Sequence, residues 1–132
     1  MFIRFVRPNH LRGISAREGF LCSAYHLRSN PRLDRNTSER LEEFLAWFRT
    51  NLKIPKRFSK SKSKGHYRRE HTAGLSWFRD SSTGILEKAF ELVTFLEENG
   101  YPTEILRTDR VGYIVYEDEW QVVAQPFSDT PT

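Results

Sequence analysis

The sequence predicts an α+β domain in which a mainly antiparallel sheet of about five strands packs against three helices. Three stretches place apolar residues at helical spacing, and five short runs rich in β-branched and aromatic residues are bounded by turn residues. The predicted order is β-α-α-β-α-β-β-β, and its closing run of strands favours antiparallel pairing. The length of 132 residues suits one domain, which we expect to span residues 1–127, with a frayed tail at 128–132.

The first strand and the first helix are recognised by their ends. The text MFIRFVRP places β-favouring residues at 2–6 and a stop at Pro8. In SAREGFLCSAYHL, Ser15 is a candidate helix cap with Glu18 three positions later, and Asn30-Pro31 then breaks the chain. The helical spacing of this stretch comes from Phe20, Leu21, Ala24 and Leu27.

The second and third helices have the clearest apolar faces. In NTSERLEEFLAWFRTNL either Asn36 or Thr37 can cap the helix, and Pro55 ends it. Its apolar positions recur with helical period at Leu41, Phe44, Leu45, Phe48 and Leu52. The third helix can be capped within Asp80–Ser82 and stops at Asn99-Gly100, which tolerate the left-handed conformation that ends helices. Its apolar face consists of Leu86, Ala89, Phe90, Val93 and Leu96.

The remaining strands lie in the second half of the chain. GLSWF predicts a short buried strand, and TEILR, GYIVYE and WQVVAQPF predict a three-strand meander with turns near Asp109–Gly112 and Asp118. The strand, helix and strand from GLSWF to TEILR could also supply a parallel pair through a right-handed crossover.

The positive charge of the chain is concentrated in one stretch, KIPKRFSKSKSKGHYRREH, which we name the basic segment (residues 53–71). Between Lys53 and Arg69 it holds eight Lys/Arg and no acid. The rest of the chain holds 13 Lys/Arg against 17 acids, so a net charge of +4 becomes about −4 without this stretch. Mutual repulsion predicts that the segment is extended and mobile, and that it acts on partners as a local patch.

Phosphate is a natural partner for the basic segment, because cations that neutralise nucleic-acid phosphates release counterions. Phe58, His66 and Tyr67 lie among the cations and could stack on unpaired bases. The alternatives are a solvated loop that aids solubility, an acidic protein partner or a membrane surface. No motif for base-specific readout is visible, so DNA and RNA are both open. The candidate nucleic-acid-binding residues are Lys56, Arg57, Lys60, Lys62, Lys64, Tyr67, Arg68 and Arg69.

Catalytic and cofactor signatures are absent from the sequence. It has no Walker loop, dinucleotide-binding glycine turn or nucleophile elbow, so we predict no cofactor, no metal site and no catalytic residue. The enzymatic alternative is a small hydrolase or metal-independent nuclease that uses His66 and His71 with Glu70, or the acidic cluster Glu117–Glu119. Cys22 is expected to be a buried, inert thiol that has no disulfide partner. The acids in YEDEW (117–119) are expected to solvate a turn or to face a basic partner.

The aromatic residues predict core packing, with one alternative. Tyr113, Tyr116 and Trp120 could share an exposed sheet face that serves as a stacking platform or a protein-binding patch. The second functional hypothesis is therefore a protein-interaction or inhibitor module that uses this sheet face or an aromatic helix face, with a homodimer and a mobile-element origin among its forms. No apolar run reaches the roughly 18–20 residues that span a bilayer, so we predict no membrane partner and a cytoplasmic location.

Several stretches carry a family resemblance. MFIRFVRP, FLAWFRTNLKIPKRF, LSWFRDSS and VGYIVYEDEWQVVAQPF resemble corresponding stretches in a set of short bacterial proteins with no established function. The likeness covers most of the chain except residues 60–71, where those proteins are shorter and less basic. The resemblance implies a single domain and a bacterial cytoplasmic origin, and it implies no activity or catalytic residue.

Overall fold

The computed structural model describes residues 1–8, 16–53 and 74–132. Within these ranges the chain forms a five-stranded antiparallel sheet and three helices, which confirms the predicted fold class and element order. The elements are β1 (Phe2–Val6), α1 (Phe20–Arg28), α2 (Arg35–Asn51), β2 (Leu75–Arg79), α3 (Thr83–Glu98), β3 (Glu104–Thr108), β4 (Tyr113–Glu117) and β5 (Gln121–Gln125).

The strand order is β3-β1-β2-β5-β4, with every neighbouring pair antiparallel. The predicted three-strand meander is therefore wrong: β4 and β5 form a hairpin, but β3 pairs with β1 at the opposite edge. The predicted parallel pair is also wrong, because β1 lies between β2 and β3. Four of the five residues of β1 are buried, so this strand needs neighbours on both sides and takes β3 as the second one.

The helices cover one face of the sheet, which we name the helical face. There Ile3, Phe5 and Phe78 pack with the apolar sides of all three helices in the main core. Aromatic rings link the layers: the Phe5 ring lies 5.4 Å from Phe20 and 5.1 Å from Phe90, and Phe20 lies 5.6 Å from Phe48. The predicted apolar stripes of α2 and α3 are thus the surfaces that close this core.

The other face of the sheet carries a second, smaller core of Trp77, Val111, Val122 and Ala124. The C-terminal tail lies on this side, where Thr130 Oγ1 donates to the carbonyl of Arg110 (2.9 Å) and the amide of Arg17 donates to that of Thr132 (2.7 Å). Thr130 is buried. The residues for which the sequence predicts fraying therefore make defined contacts with the body.

The helix ends follow the sequence in part. Asp34, not Asn36 or Thr37, caps α2: its Oδ1 accepts from the amide of Thr37 at 2.8 Å, and Oδ2 accepts from the Thr37 hydroxyl at 2.9 Å. These hydrogen bonds lower the pKa of Asp34 because they favour the carboxylate. The predicted stop at Asn99-Gly100 is confirmed, with Gly100 at φ +91°.

Candidate binding surfaces

The predicted nucleic-acid-binding residues lie outside the described residues. This holds for Lys56, Arg57, Lys60, Lys62, Lys64, Tyr67, Arg68 and Arg69, and also for Phe58, His66, Glu70 and His71. The structure describes only the first residue of the basic segment, Lys53, and the point at which the chain returns, Gly74. The described residues therefore define the base from which the segment departs.

The side chain of Gln121 is hydrogen-bonded to the chain on both sides of residues 54–73. Its Nε2 donates to the carbonyl of Lys53 at 2.6 Å, and its Oε1 accepts from the hydroxyl of Ser76 at 2.6 Å. The side chain of Gln121 is only 1% exposed. Because Ser76 follows Gly74 by two residues, the chain leaves and re-enters the described body beside one buried amide, on β5.

The acidic stretch 117–119 forms the β4–β5 turn next to this point. Asp118 Oδ1 accepts from the amides of Trp120 and Gln121 at 2.9 Å each, and Oδ2 accepts from the Tyr116 hydroxyl at 2.8 Å. Partial burial opposes ionisation of Asp118, but these hydrogen bonds outweigh it, so its pKa is lowered. Asp118 therefore holds the turn in place through hydrogen bonds, whereas the sequence predicts only that these acids solvate the turn.

The other two acids of the turn differ from each other. Glu117 pairs with Arg79 at 2.8 Å, whereas Glu119 is exposed and makes no side-chain ion pair with a described residue. Among the described residues no group of three or more His, Cys, Asp or Glu side chains could hold a metal ion. Glu119 is therefore the exposed carboxylate of this turn that has no ion-pair partner among the described residues.

About half of the arginines and lysines of the body are paired with carboxylates. Seven of the 13 described Lys/Arg form ion pairs with Asp or Glu. Near the end of α2, Arg49 and Lys53 are exposed and make no ion pair with a described residue. Five exposed cations have no carboxylate partner among the described residues, and two of these, Arg49 and Lys53, stand where the basic segment begins.

Arg4 is a buried cation that the sequence pattern does not reveal. Its guanidinium donates to the carbonyls of Arg17 (2.6 Å) and Thr132 (3.5 Å), and 7% of the residue is exposed. Burial, and then the neighbouring Arg17, lower the pKa of Arg4 to about 10, so it stays charged at neutral pH. The position of Arg4 inside the strand text FIRFV gives no sequence signal for this role, which is to fasten the tail to β1.

A cleft of about 360 Å³ opens between α2, the start of α3 and the β4–β5 turn. Its walls include Trp47, Trp120, Ser81, Thr83, Gly84 and Glu119. Ser82 is the N-cap residue of α3, but its hydroxyl does not cap the helix: it contacts the carbonyls of Glu119 (3.3 Å) and Trp120 (3.2 Å) and so ties the turn to the helix. The sequence pattern predicts core packing for both tryptophans and does not reveal the cleft.

Tyr113, Tyr116 and Trp120 do not all lie on one exposed face of the sheet, contrary to one interpretation of the sequence. Tyr113 and Tyr116 pair with Gln125 and Val123, so they share a face of β4, and Tyr113 is 68% exposed. Trp120 instead packs against the main core. Ile114 and Val115 are also exposed, so the outer strand β4 presents three consecutive apolar residues.

The cysteine and the one described histidine lie together on α1. Cys22 is exposed, so the expectation of a buried thiol is wrong. Partial enclosure of its sulfur, together with the nearby Glu18, raises the pKa of the thiol, which disfavours the nucleophilic thiolate. His26 Nε2 lies 3.4 Å from the same carboxylate, which also pairs with Arg7.

Comparison of this chain with protein-family models, curated proteins and solved structures finds no match. None of the helices in the described ranges combines the length and the apolarity needed to cross a membrane. The chemistry of the surfaces described above is thus the basis for a functional assignment.

Proposed function

We propose that this chain is a small non-enzymatic binding module of the bacterial cytoplasm that contacts nucleic-acid phosphates through the basic segment. The observation that carries the proposal is the contrast in charge along the chain. The described residues hold 13 Lys/Arg and 16 Asp/Glu, a net of −3, whereas residues 54–73 hold seven and one, a net of +6; Arg12 supplies the remaining +1. The contacts are assigned to Lys56, Arg57, Lys60, Lys62, Lys64, Tyr67, Arg68 and Arg69.

The geometry of the body supports this assignment in two ways. Seven of the 13 described cations are paired with carboxylates and the described residues carry a net charge of −3, so the body itself offers little to a polyanion. Gln121 fastens Lys53, the first residue of the basic segment, to the sheet, and the exposed Arg49 lies four residues before it on α2. Binding through such a segment reads charge and not base sequence, and its affinity falls steeply with salt.

Three segment lysines provide the test. Changing Lys60, Lys62 and Lys64 to Gln is expected to weaken binding to a DNA duplex at least tenfold at low salt. Each phosphate contact contributes about 0.9 to the slope of log K against log salt, so the slope should fall by roughly 2–3. Fluorescence anisotropy across a salt series measures both quantities on DNA and on RNA.

A matched variant separates the segment from the overall charge. Arg28, Arg35 and Arg110 are exposed and pair with Glu42, Glu39 and Asp129, so changing these arginines to Gln removes the same three charges from the body. We expect this control to change the affinity less than about threefold, because its cations are already neutralised. Equal losses in the two triple variants, or no binding by the parent protein at low salt, would reject the proposal.

The edge strand β4 favours a second candidate function, protein interaction through the sheet. In the described sheet β5 is its one neighbour, and Tyr113, Ile114 and Val115 are exposed on it. The opposite edge is protected: on β3, Glu104 pairs with Arg17 at 3.2 Å, and Arg107 is exposed. Charged side chains are a usual protection of sheet edges, and the apolar part of β4 lacks them.

The partner that fits this edge is a second copy of the chain, paired antiparallel through β4. The one charged residue of β4, Glu117, is matched by Arg79 of its own chain, so two copies meet without like-charge repulsion. A bulge between Ile114 and Tyr116 places Ile114 on the face of Ala124 and places Tyr116 on the opposite face, so each face of β4 presents an apolar side chain to the second copy. Antiparallel pairing also keeps the two acidic turns at opposite ends of the new strand pair.

Single lysine substitutions at the two edges test this self-association. Val115 and Ile105 are each 40% exposed, one on β4 and the other on β3. We expect the parent protein and Ile105→Lys to dimerise in the range of about 1–100 μM, typical of small interfaces, and Val115→Lys to remain monomeric. Sedimentation equilibrium measures the mass. A monomeric parent across this range, or equal behaviour of the two variants, would contradict the dimer.

A further inference from the structure

The cleft beside α3 has two aromatic walls that reach it from distant parts of the chain. Trp47 comes from α2, and Trp120 comes from the β4–β5 turn. Both indoles are partly buried, with part of each ring system packed against the main core. Packing holds them in place, and their remaining surface lines a cavity of about 360 Å³, enough for a flat aromatic group.

The rim of the cleft carries polar groups that face no competing partner among the described residues. The hydroxyls of Ser81 and Thr83 and the carboxylate of Glu119 make no side-chain hydrogen bond within the described part of the chain. Hydroxyls can donate and accept, and a carboxylate accepts from exocyclic amines such as cytosine N4. The cleft thus combines stacking surfaces with acceptors and donors suited to the edge of a base.

The cleft lies directly beside the start of the basic segment. Trp120 precedes Gln121, whose amide is bonded to the carbonyl of Lys53 at 2.6 Å. On the other wall, the carbonyl of Trp47 accepts from Asn51 Nδ2 at 2.9 Å. Asn51 precedes Lys53 by two residues. Lys53, the described first residue of the basic segment, therefore lies close in the chain or by hydrogen bonding to both walls of the cleft.

We propose that this cleft binds one unpaired nucleobase, stacked against Trp47 and Trp120, so that the protein prefers single-stranded nucleic acid to duplex. The inference rests on the proposed phosphate binding and names the form of nucleic acid bound. Bases in a duplex are stacked on one another and cannot enter, whereas a single strand can present a base face. One stacked base contributes roughly tenfold in affinity.

The test compares a mixed-sequence DNA strand of about 12 nucleotides, within the usual range of site sizes, with the duplex of the same sequence. The duplex carries twice the phosphates, so charge alone favours it. We expect the parent protein to bind the single strand at least about fivefold more tightly. Quenching of tryptophan fluorescence reports the cleft, because the third tryptophan of the chain, Trp77, is fully buried.

Filling the cleft is preferable to removing its walls, because both tryptophans support the core. A Cβ added at Gly84 meets no heavy atom within 4 Å, and leucine is the better helix former, so Gly84→Leu can occupy the cleft without destabilising α3. Thr94→Leu, an exposed change elsewhere on α3, is the control. We expect Gly84→Leu to bind the duplex like the parent protein and to lose the single-strand preference and the quenching, while Thr94→Leu keeps both.

Three outcomes would overturn the inference. Equal affinity of the parent protein for strand and duplex, without quenching, rejects base stacking and leaves phosphate binding in place. An unchanged single-strand preference in Gly84→Leu rejects this cleft as the site. No binding of either nucleic acid at low salt rejects the proposed function together with the inference.

Discussion

Gly112→Ala is expected to lower the free energy of unfolding by at least about 3 kcal/mol, because neither its backbone angle nor its surroundings accept a side chain. Gly112 has φ +118°, which L-residues rarely adopt. A Cβ there would lie 1.9 Å from the carbonyl oxygen of Gln125 and 2.8 Å from Cα of Pro126. These are main-chain atoms of β5 and of the residue after it, so the steric clash can be relieved only if β4 and β5 shift relative to each other.

Gly100→Ala is the matched control for this change. Gly100 also has positive φ, at +91°, but an added Cβ meets no heavy atom within 4 Å. Only the backbone penalty of about 1–2 kcal/mol applies there. Urea denaturation of both variants measures the difference, and equal losses would show that close approach to Gln125 contributes nothing at Gly112.

Gln121→Glu is expected to cost little stability at acidic pH and roughly 3 kcal/mol at pH 7. The neutral carboxylic acid can donate to the Lys53 carbonyl and accept from Ser76, as the amide does. The site is fully buried, so ionisation is disfavoured and the folded-state pKa of the new carboxyl rises. The unfolded chain ionises from about pH 4.3 upward, so stability relative to the parent falls from there by up to about 1.4 kcal/mol per pH unit until the folded-state pKa is reached.

Gln121→Leu separates this pH effect from the loss of hydrogen bonds. Leucine leaves the Lys53 carbonyl and the Ser76 hydroxyl without their partner, at a cost on the order of 1–3 kcal/mol that does not change with pH. Thermal or urea unfolding between about pH 4 and 8 distinguishes the two variants. A constant difference between parent and Gln121→Glu over this range would contradict the burial that the structure assigns to Gln121.

The elements of this fold could be predicted from the sequence because each depends on a local pattern. The stripe from Leu41 to Leu52 and the stop at Asn99-Gly100 specify α2 and the end of α3 without reference to the rest of the chain. Strand pairing depends on distant partners, and turn residues at 109–112 suit a hairpin as well as the crossing between opposite edges that the chain makes. Local turn chemistry could not tell these apart, so the predicted meander was wrong.

Of the candidate binding surfaces, those set by local sequence could likewise be predicted, and those formed by distant residues could not. The basic segment is visible in the sequence because charge density is a local property, and its partner stays a prediction. The cleft was missed because Trp47 and Trp120 are distant in sequence and meet only when the turn docks on α2 and α3. Gln121 could have been noticed as an amide within the otherwise apolar strand text WQVVA, although its partners Lys53 and Ser76 have no local signature.

The position of β5 next to the unprotected edge has a consequence for avidity. A strand pair formed antiparallel by two β4 strands has its twofold axis perpendicular to the sheet, so both helical faces point the same way. The two Gln121 anchors then stand on that shared face with three strand spacings, about 14 Å, between their β5 strands. Such a dimer would present two basic segments to one polyanion. The apparent affinity of the protein for nucleic acid would then rise with protein concentration without any new contact to the ligand.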